Sequence, residues 1–132
     1  MDDQRRQLFS EALLQKLFPP ERANQFFEAL FGDPEEGAYD IFLVYRWFDE
    51  ERGLIRLDFE LRQRPGRCLA CHLTYGLPEV FARHPVINVS GLVEKLNRQL
   101  DGLRITGWRL GPTEELGPAT HAVPLWLEVT EV

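Results

Sequence analysis

The alternation in residues 54–62 is the feature that most restricts the fold. Ile55, Leu57, Phe59 and Leu61 fall on one side, and Arg56, Asp58, Glu60 and Arg62 on the other. This period-two pattern is that of a strand with one buried face. Residues 39–48 carry a second run, with Ile41, Leu43, Tyr45 and Trp47 on one face. Its other face holds Phe42, Val44 and Phe48 between Asp40 and Arg46, so the strand is apolar on both sides and needs cover on both. The candidates for that cover are a helix, a second copy of the chain, or a ligand in a groove. A third run, 68–75, sets Leu69, Cys71, Leu73 and Tyr75 against Cys68, Ala70, His72 and Thr74.

Register follows from requiring the apolar faces to agree, because a slip of one residue turns a whole face into water. The first two runs then pair Tyr45 with Leu57 and Leu43 with Phe59 across an odd loop between Asp49 and Gly53. The second and third pair Leu61 with Leu69, Phe59 with Cys71 and Leu57 with Leu73, with Gly66 in the turn. On the polar face this second hairpin sets His72 beside Asp58.

Helical stripes flank these strands. Leu8, Phe9, Ala12, Leu13 and Leu17 mark a helix over 3–17, stopped by Phe18-Pro19-Pro20. Ala23, Phe26, Phe27, Leu30 and Phe31 mark a second, with Gly32 past its end. A short turn over 79–83 ends at His84-Pro85. Ser90 is the expected N-cap of a further helix carrying Leu92, Val93, Leu96 and Leu100. Residues 103–110 and 122–132 read as strands, and 111–121, with its prolines and glycines, as an exposed loop. The expected fold class is α+β: an antiparallel sheet of about five strands, in the order α-α-β-β-β-α-β-β, with helices packed on it.

At 132 residues, with 44% hydrophobic residues, the chain is expected to form a single domain over 1–132. A net charge of −6 argues against a nucleic-acid partner, since phosphate binding needs positive charge. No apolar run reaches the roughly 20 residues that span a bilayer. The first residues, MDDQRRQLFSEALLQKLF, are amphipathic and unlike a secretory signal, so the expected address is cytoplasmic, with both cysteines reduced.

Cys68-Leu69-Ala70-Cys71-His72 matches C-x-x-C-H, the pattern to which c-type haem is attached. On a strand, however, Cys71 points inward while Cys68 and His72 point outward. The two Cα atoms would also stand about 10 Å apart, beyond the roughly 7 Å a disulfide spans. Two thiols and one histidine fall short of a four-ligand zinc site. Cys71 is therefore expected to be a small buried hydrophobe, and Cys68 a thiol near a turn rich in arginine. Arg62, Arg64 and Arg67 cluster at that turn as a weak anion or carboxylate site. Asp58 with His72 is a candidate acid–base pair, and Tyr75 and His84 candidate lining residues. No cofactor is expected. The function expected is a non-enzymatic module binding a protein partner or a small ligand, with a homodimer as one form. The competing class is a redox, metal or haem protein using Cys68, Cys71 and His72.

Overall fold

The computed structural model describes residues 9–19, 21–32, 39–64, 77–84, 87–100 and 102–131. In chain order the elements are α1 (Glu11–Leu17), α2 (Glu21–Phe31), β1 (Tyr39–Asp49), β2 (Leu54–Gln63), α3 (Leu77–Arg83), α4 (Val89–Gln99), β3 (Leu103–Leu110), β4 (Glu114–Gly117) and β5 (Thr120–Glu131). The strands form one antiparallel sheet in the order β1-β2-β5-β3, with β4 also on β5. The fold is α+β, as the alternation implied.

Alternation explains the layering. Ile41 and Leu43 of β1, the odd residues 55–61 of β2 and Val123, Leu125 and Leu127 of β5 are buried in one core. Phe9, Leu14, Phe18, Phe26, Phe27, Phe81, Leu92 and Leu96 meet them from the helical layer. Phe59 sits at the junction, edge-on to Phe18 at 5.3 Å and to Phe81 at 5.4 Å. No helix among the described residues is long and apolar enough to cross a membrane. Ser10 caps α1, its hydroxyl accepting from the Leu13 N–H at 3.2 Å. For α4 the cap is Asn88, not Ser90: Asn88 adopts φ 48° and its side chain accepts from the Gly91 N–H. Asparagine tolerates that left-handed backbone better than most side chains.

Leu43 pairs with Phe59 and Tyr45 with Leu57, as the apolar faces require. Nearer the turn the register shifts by one, at a β-bulge on Arg46. Beyond it Trp47 faces Arg56, Phe48 faces Ile55 and Asp49 faces Leu54, so the loop is Glu50 to Gly53 and not odd. The bulge swaps two side chains relative to strict alternation. Trp47 moves to the outer face, and Phe48 packs against the core. Gly53 closes the loop at φ +61°, where a Cβ would stand 2.6 Å from the Val129 carbonyl oxygen.

The second edge of β2 belongs to β5. Leu61 pairs with His121, Phe59 with Val123 and Leu57 with Leu125. This overturns the hairpin pairing of β2 with Leu69, Cys71 and Leu73, the register from which His72 was placed beside Asp58. The run 68–75 lies outside the described residues. The fifth strand is β4, within the stretch expected as an exposed loop; Leu116 is exposed there, but Gly111 and Thr113 are buried.

Pro124 occupies the central strand β5, an unusual place for a residue without an N–H. Its carbonyl accepts from the Gly111 N–H at 2.9 Å. In an extended residue N–H and C=O point the same way, so the missing donor also faces Gly111. The outer strand breaks at that point into β3 and β4.

Two expectations follow. Phe59→Ala should lower stability by about 3–5 kcal/mol, as for an aromatic removed from a packed core, and the denaturant midpoint measures it. The second concerns Tyr39, whose ring is edge-on to Phe27 at 4.9 Å. Burial pushes its phenol pKa well above the ordinary value of 10.0. The folded chain thus keeps the proton that the unfolded chain releases near pH 10, so this contribution is full below about pH 10 and lost above it. Tyr39→Phe should move the alkaline unfolding midpoint, followed by ellipticity and phenolate absorbance, to higher pH.

Candidate functional site

The face of the sheet away from the helices is built by the polar half of the alternation. From β2 it takes Arg56, Asp58, Glu60 and Arg62, whose cross-strand partners in β5 are Trp126, Pro124, Ala122 and Thr120. From β1 it takes Phe42, Val44 and Trp47. Asp58 lies at its centre and is fully buried, at 0% exposure.

A carboxylate without solvent needs hydrogen-bonded cations. The Arg56 Nε donates to Asp58 Oδ1 at 2.9 Å, and the Arg46 Nε donates to Oδ2 at 2.7 Å. Arg46 comes from the bulge, whose extra residue is free of the pairing ladder. Its Nη2 donates to Glu60 Oε2 at 2.8 Å, and Arg62 Nε donates to Glu60 Oε1 at 2.9 Å. Arg56 reaches Glu114 of β4 at 3.1 Å. The result is a chain of alternating charge, Glu114–Arg56–Asp58–Arg46–Glu60–Arg62, with equal numbers of each sign. Burial pushes the Arg46 and Arg56 pKa values down, but the bonds and charges of Asp58, Glu60 and Glu114 outweigh it, and both rise.

Aromatic rings complete the face. Trp47, Arg56, Trp126 and Arg109 form one transverse row across β1, β2, β5 and β3. The Arg56 guanidinium lies 5.4 Å from the Trp126 ring centre and that of Arg109 5.7 Å. Trp47 meets Trp126 edge-on at 5.5 Å. Gly111 makes room for this row, because a Cβ there would stand 2.8 Å from Trp126 Nε1. Arg62 covers Phe42, its guanidinium 4.1 Å from the ring centre. The other sheet tryptophan, Trp108, packs against the core.

Of the candidates named from the sequence, the described ones, Asp58, Arg62, Arg64 and His84, do not all come to one place. Asp58 and Arg62 belong to the outer network. Arg64 donates instead to Asp40 at 3.0 Å and to the Asn24 Oδ1 at 2.7 Å, tying α2 to β1. His84 stacks edge-on against Phe26 at 4.9 Å, at the end of α3. Arg67, Cys68, Cys71, His72 and Tyr75 lie outside the described residues. Among the described residues, no three His, Cys, Asp or Glu side chains are grouped to hold a metal ion. Sequence reasoning missed Arg46, Trp47, Trp126, Arg109 and Glu114 as members of this face. The polar side of 54–62 pointed to the face, but only the pairing with β5 shows who shares it. Comparison with protein-family models, curated proteins and solved structures found no match.

Chemically, the Asp58 carboxylate is occupied on both oxygens, by the guanidinium groups of Arg46 and Arg56. Asp58→Ala should cost about 3 kcal/mol, near the low end for breaking a buried pair, because Arg46 and Arg56 keep some access to water. Arg62→Ala, at a half-exposed side chain, should cost no more than about 1 kcal/mol. Urea unfolding of the two variants distinguishes them.

Proposed function

We propose that the protein is a non-enzymatic binding module for another protein, working in the cytoplasm, and that the outer sheet face is its recognition surface. The observation behind this reading is the row Trp47–Arg56–Trp126–Arg109, which crosses the sheet on a face to which no described helix contributes core residues. Trp47 is 38% exposed, a large ring left at the surface beside fixed guanidinium groups. Tryptophan and arginine are the residue types that most often carry binding energy at protein interfaces. Here neighbours on four strands already hold them, so docking immobilises few side chains.

Electrostatics favour a protein partner over nucleic acid. Guanidinium groups on this face are matched by Asp58, Glu60 and Glu114, and the whole chain carries −6. Neither offers the excess of positive charge that neutralises a phosphate backbone.

The test uses the full chain and its Trp47→Ala variant as paired baits in an extract of the source cells. A partner retained by the wild type is then purified and titrated against both. Direct binding weakened about 30-fold or more by Trp47→Ala, the loss of an interface anchor worth about 2 kcal/mol, is the expected result. A partner bound equally well by both, or none bound directly, removes the proposal.

A further inference from the structure

The outer side of β1 carries Phe42 and Val44, the apolar residues for which the sequence demanded cover. Beside them a groove of about 330 Å³ runs between β1 and the start of α1, lined by Phe9, Leu14, Phe42, Val44, Tyr45 and Arg62 among others. Packing holds its walls in place. Phe9 and Leu14 are buried in the core, and the Phe9 ring is stacked on that of Tyr45 at 5.3 Å. The volume is about eleven times the roughly 30 Å³ that a water occupies in the liquid. That is the small end of ligand pockets, which combine an apolar lining with a few placed polar groups.

The charged group among the described lining residues is Arg62. Its Nε donates to Glu60 at 2.9 Å, and its guanidinium carbon stands 4.1 Å from the centre of the Phe42 ring. Two contacts thus fix this group before anything binds. Its two Nη atoms have no hydrogen-bond partner among the described residues. Glu60 is shared with Arg46 at 2.8 Å, and Asp40, opposite Arg62 in the strand pair, accepts from Arg64 at 3.0 Å. Arg62 therefore ends the run of alternating charge on a cation, and the group that continues the alternation is a carboxylate. Both Nη atoms can donate to one carboxylate, a bidentate pair stronger than a neutral hydrogen bond.

We propose that the groove binds a small monocarboxylate with an apolar body, about ten non-hydrogen atoms in all at roughly 30 Å³ each. The carboxylate lies on Arg62 and the body against Phe9, Leu14, Val44 and Tyr45. An apolar body gains by leaving water for these side chains. An inorganic anion would leave the apolar walls wet, and a cationic amphiphile would meet Arg62 with its own sign. The site is separate from the row of Trp47 and Trp126, so it goes beyond the reading of that row as a protein-binding surface and does not depend on it.

Sodium octanoate titrated into the full chain at neutral pH, followed by proton–nitrogen correlation NMR, tests this, with octylamine and octanol as control probes. Octanoate should bind with a dissociation constant of about 1 mM or below. The shifts should centre on residues 9–15 and 42–45, which line the groove. Octylamine, with the same body and the opposite charge, should bind at least about tenfold more weakly, and octanol more weakly than octanoate. Arg62→Gln should weaken octanoate at least about tenfold and leave octanol unchanged. Arg52→Gln, which removes an equal charge from an exposed side chain in the loop after β1, should change neither. No saturable shift up to about 10 mM octanoate, or a control probe that binds as tightly, overturns the proposal. So does octanoate binding that Arg62→Gln leaves intact, or shifts confined to other residues. The comparison of the three probes is made on the wild type and so holds even if Arg62→Gln fails to fold.

Discussion

A carboxylate buried at the middle of a sheet is the constraint on which the outer half of the molecule depends. Asp58 has no exposure, so its charge is tolerable only with cations in direct contact. One guanidinium comes from its own strand, two residues away, and the other from the bulge in β1. The bulge and the buried acid therefore belong together. A regular ladder would keep Trp47 on the core side and set Arg46 directly opposite Arg56. With the extra residue, Arg46 reaches both Asp58 and Glu60 while the rest of β1 keeps its apolar register. The place of Trp47 in the outer-face row is a consequence of the same one-residue insertion, and that of Arg109 follows a separate register shift between Ile105 and Gly107 of β3.

What could be read from the sequence was local. Residues 54–62 declared both faces of β2, and the demand that apolar faces match gave Leu43–Phe59 and Tyr45–Leu57 without any structure. Phe26 and Phe27 were legible as core from helical spacing. The partner of β2 on its other edge was not. Period-two alternation says which way side chains point and nothing about which of several alternating segments lies alongside. Residues 68–75 and 120–128 both alternate, and proximity in sequence favoured the former. The latter carries a proline at position 124, a residue seldom found in a central strand. It is central because the missing donor faces the break at Gly111, a match visible only once three strands are together. The register that set His72 beside Asp58 failed for the same reason, since β5 holds that edge of β2.

The strand order has a consequence for how the chain reaches this state. The β1–β2 hairpin joins residues close in sequence, and the helical turns of α1 to α4 are local as well. The centre of the sheet is not. β5 must enter between β2 and β3, pairing residues 54–62 with 120–128, and closing so long a loop costs entropy before the contacts return it. While the chain is being synthesised, β2 has one edge paired and one open until residues 120–128 arrive. In that interval the side chains of Leu57, Phe59 and Leu61 lack their β5 neighbours, and Asp58 lacks the strand that carries Trp126 beside its arginine. The last described strand to be made is the one that closes the core, so folding is bound to be cooperative across nearly the whole described chain.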